Sequence, residues 1–141
     1  MNSYQHYWIG LNLVKGIGTV RFRSLLESFG DAESAWKATP QELRAIGLND
    51  KLIQNFLNLR SSVSLELIWE QICQKGIKVL TWEDEGYPDR LREIPQSPPV
   101  IYVKGELLPK DDWSVAIVGT RRLTAYGRQV TEKIAGGMAQ A

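Results

Sequence analysis

An all-α module running into an α/β domain with a parallel sheet is the architecture expected of this chain. Two observations carry that expectation. Through residue 75 the apolar side chains recur at intervals of three and four, the period of a helix face. From Ile77 onward the apolar runs shorten, gain β-branched and aromatic residues, and alternate with helical or proline-rich stretches, the pattern of strands in a sheet with covered faces. The change of period puts a domain boundary near Gly76, with a helical domain at 1–75 and an α/β domain at 76–141.

In the helical part, Tyr4, Tyr7, Trp8, Leu11 and Val14 share one face of a first helix. Lys15-Gly16-Ile17-Gly18 interrupts it. Thr19 is placed to cap a second helix that turns Phe22, Leu25, Leu26 and Phe29 inward and closes at Gly30. Asp31 starts a short third helix through Trp36. Thr39, followed by Pro40 at the first helical position, starts a fourth that ends at Gly47. A fifth begins at Asn49 or Asp50 and buries Ile53, Phe56 and Leu57. A sixth, from about Ser64, buries Leu65, Ile68, Trp69 and Ile72 and stops at Gly76.

Ile77 to Trp82 then reads as a strand, Tyr87-Pro88 as the start of a brief helix through Ile94, and Pro95 to Pro99 as irregular backbone. Val100 to Val103 is a second strand. Ser114 to Val118 is a third, and its unbroken apolar run Val115-Ala116-Ile117-Val118 has the character of a central strand. Thr131 to Ala141 reads as a helix with no stop signal after Gly136-Gly137, so the α/β domain is expected to be truncated after about three strands.

Composition narrows the chemistry. The 141 residues are 43% hydrophobic and 23% charged, without an apolar run long enough for a membrane span and without a signal-peptide pattern at the start. A cytoplasmic location is the default. Cys73 is the only cysteine and His6 the only histidine, which excludes an internal disulfide and leaves multi-cysteine metal sites and histidine triads without residues. Glu83, Asp84 and Glu85 are adjacent acids with the usual character of a solvated loop, so no metal, cofactor or catalytic residue is expected. The net charge of +1 means that contact with nucleic acid must rest on local basic clusters.

Two motifs carry such clusters. Val14-Lys15-Gly16-Ile17-Gly18 resembles the helix-hairpin-helix motif of DNA-repair and recombination proteins. Its glycines, Gly16 and Gly18, allow a tight turn and close approach of another chain. Unpaired amides at the start of the next helix favour a phosphate, and Lys15, Arg21 and Arg23 add charge. Phe22 departs from the small residue usual at its place in that motif. The competing account is a plain helix connector that needs glycine for its angle. Ile46-Gly47-Leu48-Asn49 looks like a weak repeat of the same turn.

The second motif is Val118-Gly119-Thr120-Arg121 followed by Thr124, Tyr126, Gly127 and Arg128, a glycine and a planar guanidinium leaving a strand just before a helix. Gly119 admits a phosphate to the backbone, Thr120 and Thr124 offer hydroxyls, and Arg121 grips with two bonds. The glycine spacing fits neither a dinucleotide fingerprint nor a P-loop.

Taken with Tyr87-Pro88-x-x-Leu91-x-x-Ile94-Pro95 and Pro98-Pro99-x-x-Tyr102-x-Lys104-Gly105, this second motif closely resembles the DNA processing protein A family, DprA, also called Smf. The resemblance implies a sterile-alpha-motif-like, helix-hairpin-helix module joined to a Rossmann-like domain. It also implies a role without catalysis: binding single-stranded DNA in natural transformation and helping to load the RecA recombinase, as a homodimer in the full-length protein. It places Gly119, Thr120 and Arg121 in a positively charged DNA pocket, with Thr124, Tyr126, Gly127 and Arg128 in the same loop and helix start. The alternative from another class is a nucleotide-binding Rossmann-like hydrolase of the phosphoribohydrolase type. A third reading makes the helical module a protein-interaction surface through Tyr4, Tyr7 and Trp8.

Overall fold

A computed structural model describes residues 4–109 and 113–140. They fall into two compact units, divided between Glu106 and Leu107. In the first unit six helices precede a hairpin of strands: α1 (Gln5–Leu13), α2 (Thr19–Phe29), α3 (Ala32–Lys37), α4 (Pro40–Ala45), α5 (Asp50–Ser62), α6 (Leu65–Gln74), β1 (Ile77–Thr81), α7 (Asp89–Glu93) and β2 (Val100–Lys104). The second unit contains α8 (Ala125–Gln140).

The helix ends follow local chemistry. Asp31, Thr39, Asn49 and Ser64 each accept a hydrogen bond from the backbone N–H three residues on, satisfying a donor that the first turn leaves unpaired. At Thr39 the bond is reciprocated by Glu42, with Pro40 inside the first turn. Gly30, Gly47 and Gly76 follow α2, α4 and α6 with positive φ, the conformation that ends a helix. Thr19 departs from expectation. Gly18 is the N-cap residue, no side chain caps α2, and the Thr19 hydroxyl donates to the Ser97 carbonyl at 3.3 Å.

One core serves helices and strands together. Trp8 and Phe22 are fully buried with ring centroids 5.0 Å apart, and Trp82, just past β1, stands edge-on to both at 5.9 and 5.7 Å. Val79 of β1 and Val100 of β2 belong to the same buried cluster as Leu25, Leu43 and Phe56. The first compact unit therefore extends past Gly76, because the strand pair buries its apolar side against α1 and α6 rather than against a separate partner. Trp8, offered above as a surface aromatic, is 1% exposed and belongs to this core.

The expected parallel sheet is corrected. The described residues contain a two-stranded sheet whose strands run antiparallel, pairing Ile77 with Lys104 and Thr81 with Val100. The segment between them, with only the one short helix α7, brings the chain straight back instead of crossing over as parallel pairing requires. The third strand is corrected too: Ser114 to Val118 has no regular structure, and Val115 and Val118 are 66% and 90% exposed. Apolar, β-branched composition makes a strand only where a ladder partner exists, and β1 and β2 pair with each other.

The returning segment is closed by polar bonds. Asp84 accepts from the Thr81 amide (2.7 Å), the Thr81 hydroxyl (2.8 Å) and the Gln5 amide (3.2 Å), so this acid ties α1 to the end of β1. Tyr87 is 1% exposed, its hydroxyl donating to the Pro98 carbonyl at 2.7 Å beside the Ser97 hydroxyl at 2.9 Å. Arg92 donates to the carbonyls of Trp82 and Asp84. These bonds account physically for the spacing of Tyr87, Pro95 and Pro98-Pro99 read in the sequence.

Candidate nucleic-acid interface

The turn between α1 and α2 is pinned from three sides. Gly16 has φ +102°, and a side-chain carbon placed there meets the Leu52 methyl at 3.0 Å. The Lys15 carbonyl accepts from the Asn55 amide at 3.0 Å, and the Gly16 carbonyl accepts from the Arg21 guanidinium at 2.9 Å. Arg21 thus spends one of its donors on the turn, while the Lys15 side chain is exposed and makes no ion pair among the described residues. Arg23 turns elsewhere, its guanidinium 5.1 Å from the centre of the Trp82 ring.

Gly18 behaves differently from Gly16. Its backbone is extended (φ −94°, ψ −178°), and a side chain there meets nothing within 4 Å. The fold demands glycine at position 16 and not at 18. The connector account therefore covers Gly16 and leaves Gly18 as bare backbone facing open space at the start of α2.

In the second unit the predicted residues lie in sequence along one exposed loop and the first turn of α8. Gly119 has ordinary negative-φ geometry and open space where a side chain would stand. The Thr120 hydroxyl accepts from the Arg122 amide at 3.0 Å and donates to the Arg122 carbonyl at 3.2 Å, folding the loop on itself rather than waiting for a ligand. Arg121 is exposed, with no hydrogen bond, ion pair or ring contact to any described residue. The Thr124 hydroxyl accepts from the Gly127 amide at 3.0 Å and its carbonyl accepts from the Arg128 amide, so Thr124 starts α8. A side chain at Gly127 would crowd the Thr124 hydroxyl at 3.2 Å, and that glycine serves the helix start.

What the loop presents outward is therefore Gly119, the guanidinium of Arg121, Arg128 and the Tyr126 ring, which is 76% exposed. The amides at the start of a sixteen-residue helix add partial positive charge in the same place. That arrangement suits a phosphate and a base plane: donors and charge for the first, a flat ring for the second. The sequence reading missed Arg122, whose backbone is the loop's fastening point, and Lys51, an exposed cation beside the hairpin. No sequence signal links Lys51 to Lys15, which lie far apart along the chain.

Among the described residues no helix is long and apolar enough to cross a membrane, and no three His, Cys, Asp or Glu side chains gather as metal ligands.

Residues 78–141 match the family model described as DNA recombination-mediator protein A. The chain is 38% identical over 138 residues to protein Smf of Synechocystis sp., an alignment covering 94% of this chain and 35% of that protein. It is 36% identical over 62 residues to DNA processing protein DprA of Bacillus subtilis, covering 43% of this chain and 21% of that one. To protein Smf of Escherichia coli it is 27% identical over 119 residues, covering 78% of this chain and 31% of that one. The chain thus spans about a third of the length of the two Smf relatives. With the family pattern carried through the glycine-arginine loop and a relative aligned along nearly its whole length, the chain belongs to the DprA/Smf family.

Proposed function

We propose that this chain is part of a recombination mediator, without catalytic activity of its own, that binds single-stranded DNA and helps to load the RecA recombinase during natural transformation. The observation that carries the reading is Arg121: an exposed guanidinium that no described residue engages, next to the bare backbone of Gly119 and ahead of a helix start. A folded chain rarely leaves a fork of donors idle beside other donors unless an anion joins them. Backbone amides and Arg121 hold phosphates, Arg128 adds a further charge, and Tyr126 stacks on a base without reading its identity. The Val14–Gly18 hairpin, through Lys15, bare Gly18 and Arg21, adds backbone contacts of the same kind.

Family membership supports this reading, since the family model and the relatives are described by DNA recombination and DNA processing. Action on DNA beside RecA places the protein in the cytoplasm, and the full-length protein acts as a homodimer. The test is equilibrium binding of a fluorescent single-stranded oligonucleotide. Arg121→Ala is expected to weaken binding by roughly 1.5 to 3 kcal/mol, the worth of a charged hydrogen bond, without lowering the melting temperature. Equal affinity for the two proteins at moderate salt refutes the assignment.

A further inference from the structure

Two glycine turns, read in the sequence as a weak repeat, meet in space. One exposed hollow is lined by Lys15, Gly16 and Arg21 of the first turn and by Asn49, Lys51 and Asn55 of the second. Its floor is Leu52, packed against Gly16, and the Asn55 amide bonded to the Lys15 carbonyl locks the two turns together. Three cations therefore stand around one rim on a protein whose net charge is only +1. Neither Lys15 nor Lys51 makes an ion pair among the described residues, and Asp50, the acid beside Lys51, is held by Arg44 at 2.6 Å. The rim carries no aromatic side chain.

We infer that this composite rim is a second nucleic-acid site, one that grips the sugar-phosphate backbone of duplex DNA and does not need unpaired bases. The argument is chemical. Cations fixed on two locked turns suit phosphates, whose positions in a duplex are regular, and the missing aromatics remove the stacking that favours single strands. The loop at 119–128 has the opposite equipment, with Tyr126 exposed beside its arginines. The inference rests on the proposed DNA-binding role and adds Lys51, with Asn55 as the residue that positions the Lys15 turn.

The experiment is fluorescence anisotropy of a labelled 20-base-pair duplex with the whole chain across a salt series. Lys15→Glu combined with Lys51→Glu is expected to lower duplex affinity at least about tenfold at low salt. It should also flatten the log–log salt slope by about 1.8, two contacts at about 0.9 each. Lys75→Glu with Lys78→Glu, the same change of charge elsewhere, is expected to do far less. Duplex affinity that is absent in the parent chain, unchanged in the first variant, or lowered equally by both variants overturns the inference. So does displacement of the duplex by polyglutamate of equal charge as readily as by unlabelled duplex, which would make the rim a site for acidic peptides. Arg121→Ala, measured on single strands in parallel, separates the failures. If it weakens binding there while the rim variant leaves the duplex alone, only the second site falls; if it too is silent, the proposed function falls with it.

Discussion

The hairpin at 15–21 and the loop at 119–128 carry the same ingredients, glycines and arginines ahead of a helix, yet the fold uses them differently. In the hairpin nearly every part has structural work: Gly16 supplies a left-handed backbone, Arg21 holds the turn, and Asn55 bridges to α5. In the loop the threonines do the structural work, Thr120 fastening the turn and Thr124 starting α8, and Arg121 is left over. A motif match gives residue types in order. Which of them are free to meet a ligand depends on which ones the fold has already engaged.

That contrast breaks most readily at the glycines. Gly16→Ala places a side chain at φ +102° and against Leu52, and is expected to cost about 1 to 3 kcal/mol of stability in the first unit. Gly18→Ala meets open space at extended backbone and is expected to stay within about 0.5 kcal/mol. Chemical denaturation of the two variants measures both; equal losses would mean that the turn needs glycine at 18 for its shape, and the hairpin would be a connector only.

A smaller effect concerns acid. Hydrogen bonds from the Ser34 backbone hold the Asp31 carboxyl below its usual range, and those from the Thr39 backbone do the same for Glu42. A carboxyl whose pKa is lowered by folding adds stability above its unfolded pKa and loses it as pH falls through the folded value. Melting of the first unit is therefore expected to weaken below about pH 4, the unfolded carboxylate range, and Glu42→Gln should show a shallower decline than the parent. Superimposable pH profiles would remove Glu42 from the account. The loop at 119–128 uses hydroxyl fastenings and is expected to show no such dependence.

The helical half was legible because its signals are local. Asp31, Thr39, Asn49 and Ser64 announce helix starts within three residues, and Gly30, Gly47 and Gly76 announce ends by the conformation only glycine takes readily. Partnership was not legible. Nothing near Ile77 says that its strand pairs backward with Lys104, and the apolar run at 115–118 has strand composition without a strand to join. Thr19 was misread for the same reason, since the Ser97 carbonyl that takes its proton lies in a distant segment. At the sites, Arg121 and Gly119 were readable as types, while the engagement of Arg21 by the Gly16 carbonyl and the approach of Lys51 to Lys15 are tertiary facts.

The most direct test is a titration of the ¹⁵N-labelled chain with a short oligothymidine, followed amide by amide by NMR. Binding as proposed shifts the signals of Gly119 to Arg122 and of Ala125 to Arg128, and Arg121→Ala suppresses those shifts. Saturating oligonucleotide that leaves the 119–128 amides where they began, while other signals move, contradicts the account.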